Sequence, residues 1–348
     1  MSVKVLGAGA MGSLVAHELA KIGKVAPTLL FKSKQRLDSY LQEGSKITVV
    51  RPDSGTMDTS VAKIDGALAP NLERNHERIE NLVVSTKTYA TVHALSPYVP
   101  YLDENSNLLI LQNGMGMVDT LKRKFWQDSQ NMPAFYEAIS SHGAFKSTPN
   151  VVNHVGYGKL TIAPAFGNKT ALQEPPLMVH ALLDCDKLNV SYVSQDEMLL
   201  TQMEKLVVNA CINPLSALLD CFNGDLMLGV QVVPIMKRVI QEAVGCFRAE
   251  FDTQLSAISG SSTVLDPDHL LNTVLEVCKA TSQNSSSMRE DVRRMQTTEI
   301  DSINGYLVGL GKKHSIPTAT NKMLVSMIHN KISIERGIEK SALQNLSV

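Results

Sequence analysis

Three features of the chain predict its fold class. A short apolar strand runs directly into a glycine turn and then a helix within the first 22 residues. Further apolar strands alternate with helical segments up to about residue 195, and helical periodicity holds for most of the chain after that. Together they predict an α/β protein, with an N-terminal Rossmann-type dinucleotide-binding domain over residues 1–195 and an all-helical C-terminal domain over residues 196–348. A chain of 348 residues, 44% of them hydrophobic, is long enough for two such cores.

The first strand, residues 3–6, leads into Gly7, Gly9 and Gly12 in GxGxxG spacing, with Ala8, Ala10 and Met11 between them. The helix "MGSLVAHELAKI" follows. In this context the first glycine makes the tight turn and the second lets the backbone approach a pyrophosphate. The third lets helix and strand pack closely. The second strand, residues 27–31, ends in "FKSKQR". An acid is expected there when ribose hydroxyls are bound. Lys32, Lys34 and Arg36 instead suit a 2′-phosphate, so NADP is predicted over NAD. A solvated basic loop is the plainer alternative. Two further strands, residues 82–85 and 108–111, deliver Lys87 and then Gln112, Asn113 and Gly114 to their carboxyl ends, where open α/β sheets bind ligands. The run "AISSHGAF" brings Ser141 to Ala144 to where a backbone group could line a cofactor. Residues 71–80 read as a charged, solvated surface.

After "GKLTIAPAFG", a proline-containing loop and a strand ending near Ser194, the pattern turns helical. Within "MEKLVVNACINPLSAL", Lys205, Asn209 and Asn213 fall at i, i+4 and i+8 and so share one helix face among apolar neighbours. Burying an ammonium and two amides is costly unless each has a partner. A lysine in a partly dry site shifts its pKa down towards the range useful for proton transfer, and two amides could hold a small polar substrate. A snorkelling lysine with surface amides is the bland alternative. Pro214 lacks an N–H, so the helix is expected to kink or end directly after Asn213. Further on, "SAISGSSTVLDPDHL" reads as a loop, with Asp266 and Pro267 at N-cap and N1 of the next helix. Thr298 and Asp301 read as a capping box with Glu299 in the first turn, and Ser287 and Asp291 read as surface.

A formal net charge of −1 gives no reason to expect nucleic acid or an acidic membrane as partner. No apolar run reaches the roughly 20 residues that a membrane span needs. The five cysteines lack a CxxC pair and read as free thiols in a reducing compartment. The nine histidines show no metal-ligand grouping. The first strand begins so early that no leader is expected, making the cytoplasm the default location, with an organelle left open.

The elements "GAGAMG", "STK", "LQNGMG", "EKLVVNACINPLSAL", "NGDL", "SSM" and "TEIDSINGYLV", in this order, closely resemble the ketopantoate reductase (2-dehydropantoate 2-reductase) family from Val3 to about Met327. The resemblance implies a Rossmann domain, a helical domain and NADPH in the cleft between them. It also implies reduction of 2-dehydropantoate to (R)-pantoate, a step towards pantothenate and coenzyme A. Residue by residue it implies that Gly7, Ala8, Gly9, Ala10, Met11 and Gly12 hold the pyrophosphate. Lys32 and Lys87 would contact the phosphate and adenosine side, while Asn113 and the Ala144 backbone would lie along the cofactor. Lys205 matches the proton donor, Asn209, Asn213, Asn223 and Ser287 match substrate-binding positions, and Glu299 matches the acid beside nicotinamide and substrate. The sequence departs from the family's pattern at Lys32, where many members have Arg, and in extra length around residues 168–176 and 184–187.

Two other readings fit part of these residues. One is a reductase of another small 2-oxo or 3-hydroxy acid, since β-hydroxyacid dehydrogenases share the KxxxN element, although they carry a glycine-containing approach where this chain has "TQME". The other is a non-catalytic NADPH-binding sensor, which would need the glycine loop but not Lys205, Glu299 and both amides. A homodimer is open on sequence grounds.

Overall fold

The computed structural model describes residues 2–53, 56–68, 78–127, 130–166 and 174–346, without the side chains of 53 and 342–346. The chain falls into two compact units, Met1–Gln112 with Gly116–Met198, and Asn113–Met115 with Leu199–Val348.

The first unit opens with β1 (Ser2–Leu6), α1 (Ala10–Ile22), β2 (Ala26–Phe31) and α2 (Lys34–Gln42). It continues through β3 (Lys46–Asp53), β4 (Thr56–Lys63), β5 (Asp65–Leu68), β6 (Asn81–Val84), α3 (Thr88–Leu95), β7 (Asn107–Leu111) and α4 (Met117–Phe125). It closes with β8 (Ala134–Ser140), β9 (Gly143–Thr148), β10 (Val151–Gly156), β11 (Leu160–Pro164), α5 (Leu177–Leu183) and β12 (Val190–Tyr192). Among the described residues an eight-stranded sheet runs β12-β11-β8-β7-β6-β1-β2-β5, parallel except where β11 meets β8. Its central strands are continuous apolar runs because both faces are covered. All four residues of β6 and all five of β11 are buried. On one face α3 and α4 enclose Leu82, Leu108, Leu121 and Phe135, and α1 lies on the other with Leu14 and Leu19.

A second, four-stranded sheet (β4-β3-β10-β9) was not foreseen from the sequence. Its strands carry little apolar patterning, and β4 is exposed at most positions. Ile47, Val49, Ala62 and Val152 of this sheet share one core with Leu14 and Leu19, so α1 is covered on its outer side as well. That is why His17 and Glu18, two polar residues of this helix, are 0% and 6% exposed.

The covered side is satisfied by a chain of side chains. His17 Nδ1 bonds the Glu18 carboxylate at 2.7 Å, and the Arg51 guanidinium donates to the same oxygen. Arg51 Nε donates to His154 Nδ1 at 3.2 Å, which leaves the proton of His154 on Nε2 to donate to His142 Nδ1 at 3.0 Å. His142 Nδ1 also accepts from the Gly158 amide, so its proton sits on Nε2 and donates to the Leu188 carbonyl at 2.8 Å. Each imidazole in this pair is therefore neutral with a defined tautomer. Burial, with His142 and the Arg51 charge beside it, pushes His154 down to about 4. Burial alone would raise Glu18, but the His17 hydrogen bond and the Arg51 charge outweigh it and hold the carboxyl below its ordinary value.

The second unit carries most of α6 (Gln195–Leu219), then α7 (Val232–Glu250), α8 (Asp252–Ala257), α9 (Ser261–Val264), α10 (Pro267–Ala280), α11 (Ser287–Arg293), α12 (Asn304–His314) and α13 (Ala319–Leu346). Leu206, Val207 and Cys211 of α6 pack with Val239, Phe247, Val274, Leu307 and Ile328 in one core. Asp266 caps α10 as expected, accepting from the amides of Asp268 and His269. The stretch before it is not the expected loop, since α8 and α9 lie within or just before it. The five cysteines are free. No helix among the described residues is long and apolar enough to cross a membrane. Most of the expected charged segment 71–80 and of the extra loop 168–176 lies outside the described residues. The tail from Ser333 belongs to α13 as far as Leu346.

Of the kink or end expected after Asn213, the end does not occur: α6 runs through Pro214 to Leu219. A proline at 214 leaves the Ala210 carbonyl without its helical donor. The buried Asn304 amide replaces it, donating to that oxygen at 3.0 Å. Asn304 Nδ2 also donates to Asn321 Oδ1 at 3.0 Å, and Asn321 is held by the Glu242 carboxylate, which caps the first turn of α13. A side chain from another helix thus repairs the defect.

Candidate active site

In the first unit the glycine turn between β1 and α1 has the expected geometry. Gly7 has φ of +113°, and a Cβ there would lie 2.7 Å from the Ser85 carbonyl carbon at the end of β6. A Cβ on Gly12 would lie 2.0 Å from the Gly7 oxygen, so turn, helix and strand meet at backbone distance. Gly9, by contrast, faces open space with nothing within 4 Å. The first backbone N–H groups of α1 have no helical acceptors, and Gly9 supplies no capping side chain. These residues fit an anionic cofactor: two glycines are required by packing and the third leaves room at a helix N-terminus.

Lys32 follows β2 directly and is exposed. Lys34 and Arg36 belong to the first turn of α2, capped by Ser33, and not to a loop. Lys87 is the N-cap residue of α3. Ala144 lies in β9 of the unforeseen sheet, where alternation puts Lys146 on the same strand face. Lys146 Nζ donates to the carbonyl of Ala8, inside the glycine turn, at 2.7 Å and to that of Pro149 at 2.6 Å. The sequence reading stopped at Ala144 and missed it.

In the second unit Lys205, Asn209 and Asn213 share the predicted face of α6. Asn213 is buried and Asn209 is half-buried. No hydrogen bond reaches either side-chain amide from the described residues, and neither amide is fully buried, so both keep bonding capacity open to a ligand. Desolvation pushes the Lys205 ammonium down to about 8, while the charge of Glu299 pulls it back up. Glu299 is buried and accepts from Asn113 Nδ2 at 3.2 Å. Asn113 reaches it because Gly114, at φ of +85°, lets the chain run close to the Ser302 carbonyl, where a Cβ would sit 2.4 Å away.

The capping box expected at Thr298 does not form. Thr298 Oγ1 accepts from the Ile300 amide ahead of a 3₁₀ turn, Ile300–Ser302, and Asp301 instead pairs with His329 at 3.1 Å. Asn223 is buried. Its amide donates to Thr281 Oγ1 at 3.0 Å, while its Oδ1 is buried without an acceptor's partner among the described residues. Ser287 is exposed as the first residue of α11. The buried N-cap Ser286 bonds Ser216 on α6 at 2.8 Å. Asp291 is buried and not the surface residue expected.

Two family models cover most of the chain: "Ketopantoate reductase PanE/ApbA" matches residues 3–166, and "Ketopantoate reductase PanE/ApbA C terminal" matches residues 197–332. The chain belongs to the ketopantoate reductase family. It is 34% identical to a Schizosaccharomyces pombe protein described as "Probable 2-dehydropantoate 2-reductase", over 96% of this chain and 97% of that one. It is 30% identical to a Saccharomyces cerevisiae 2-dehydropantoate 2-reductase, over 89% and 88% of the two chains. Its fold is shared by a solved complex of D-mandelate dehydrogenase with NADH, at a TM-score of 0.76 and 20% identity, covering 96% of this chain and 99% of the other.

Proposed function

We propose that this protein reduces 2-dehydropantoate to (R)-pantoate with NADPH, in pantothenate and coenzyme A synthesis, and that Lys205 donates the proton. The observation that carries the reading is the α6 face: a desolvated ammonium beside a buried carboxylate, in line with two amides that have no hydrogen-bond partner among the described residues. Family membership supports the substrate. Residues 1–195 act as the cofactor domain and residues 196–348 as the substrate domain.

The reduced nicotinamide, when bound, supplies the hydride. Lys205 Nζ gives its proton to the ketone oxygen as negative charge develops there, and its own charge stabilises that oxygen beforehand. Being near 8, it is largely protonated at neutral pH yet parts with the proton more readily than an ordinary lysine. Glu299 keeps it charged in a site that would otherwise discharge it, and Asn113 orients Glu299. Asn209, Asn213 and the orphaned acceptor of Asn223 hold the acid's carboxylate and hydroxyl, with Ser287 at the exposed edge. Gly7 to Gly12, Lys32, Lys87 and Ala144 serve the cofactor. We place the protein in the cytoplasm, as a homodimer.

The test is NADPH oxidation with 2-dehydropantoate and a panel of other 2-oxo acids. Because D-mandelate dehydrogenase shares the fold, the panel includes an aryl 2-oxo acid. Selectivity for 2-dehydropantoate is expected. Preference for another acid would move the substrate but keep the site, and NADPH binding without turnover on any acid would make the protein a sensor.

A further inference from the structure

Lys146 stands apart from the other cations described in the first unit. Its ammonium is turned inward, donating to two backbone carbonyls, those of Ala8 and Pro149, and among the described residues no carboxylate pairs with it. Desolvation and the nearby Arg36 guanidinium push it down to about 8, as expected of a cation that lacks a counter-charge. Two positive groups from separate elements, β9 and the first turn of α2, thus lie near enough to repel each other, with Lys146 held against the glycine turn. Such a pair favours an anion beside it. The position narrows the choice of ligand group. Ala8 belongs to the turn that faces a pyrophosphate, and Arg36 follows the end of β2, where the adenosine ribose is expected.

We infer that Lys146, with Arg36, binds the 2′-phosphate of NADP and selects it over NAD. The inference rests on the NADPH reading above. Lys146 is then the selectivity cation that the four-stranded sheet contributes, while the exposed Lys32 adds only a screened charge. Its bond to Ala8 couples the phosphate to the glycine turn, so filling the one site orders the other.

The test is isothermal titration of the full chain with NADP⁺ and with NAD⁺, which differ only in the 2′-phosphate. Lys146→Gln removes the charge but retains a donor for Ala8. We expect it to weaken NADP⁺ by about tenfold or more and NAD⁺ by less than about twofold, the loss of one charge-assisted bond. Lys146→Arg should keep the preference. Arg36→Gln, on the surface of α2, should show the same selective loss and serves if Lys146→Gln does not fold. Equal weakening of both nucleotides, or an unchanged ratio in either Gln variant, overturns the inference. A wild-type chain that does not prefer NADP⁺ overturns the cofactor reading itself.

Discussion

The two units each bury a row of polar side chains, and they do so to opposite ends. In the first, Glu18, Arg51, His154 and His142 form a closed chain in which each donor described meets an acceptor and the tautomers follow from the bonding. In the second, Lys205, under the charge of Glu299, shares a helix face with Asn209 and Asn213, whose amides are not bonded by any described residue. Burial exacts a desolvation cost in both. A satisfied network returns that cost as fold specificity and has nothing left for a ligand, whereas an unsatisfied one keeps hydrogen-bonding capacity in reserve. Buried polarity alone therefore does not mark a site.

Substitutions should separate the two rows. Lys205→Ala should lower turnover by roughly 10²- to 10⁴-fold. Its NADPH affinity should stay near wild type. Arg51→Met should do the reverse. Leaving Glu18 charged, with His17 as its remaining described partner, should cost up to about 3–5 kcal/mol in denaturant unfolding, with specific activity of the folded protein little changed. A Lys205→Ala variant that loses stability but keeps its rate would erase the distinction.

Asn304→Ala should cost about 1–3 kcal/mol by orphaning the Ala210 carbonyl. The same change made in a Pro214→Ala background, where a backbone N–H is restored, should cost measurably less. Equal costs in the two backgrounds would disprove the repair of the proline gap.

The pH dependence of the rows should also differ in direction. His154 is held at about 4 against an ordinary 6.5, so between those values the unfolded chain binds more protons than the folded one. Stability should fall as pH drops through that window, and His154→Gln should flatten the dependence in urea midpoints. For Lys205 the protonated form is the working one, so the rate of ketone reduction should fall as pH rises through about 8. The smallest effect is expected from Glu299→Gln. Removing the charge that raises Lys205 should move that alkaline limb to lower pH, while a loss of melting temperature with an unmoved limb would make Glu299 a structural residue.

Much of this was readable from local pattern. The strand, glycine turn and helix at residues 2–22 needed only hydrophobicity and spacing, and the face shared by Lys205, Asn209 and Asn213 needed only the period of a helix. The four-stranded sheet was not readable, because β4 shows solvent most of its length and carries no apolar alternation to announce it. Lys146 sits two residues past Ala144 on the same strand face, a relation that shows only once the strand itself is known. Pro214 misled because propensity counts the missing N–H and cannot see Asn304 replacing it from another helix.

The sequence by itself determined which residues turn, which extend and which share a face, because those depend on backbone sterics and on neighbours within a few positions. It thereby determined that a lysine and two amides would be lined up on a largely apolar helix. Only the tertiary structure decided what those groups would be chemically. Lys205 is a weakened ammonium because packing desolvates it and a turn far along the chain holds Glu299 beside it. His17 and Glu18 are core residues because a second sheet covers α1. Dielectric and partners come from whatever the fold brings near, and those neighbours are distant in sequence.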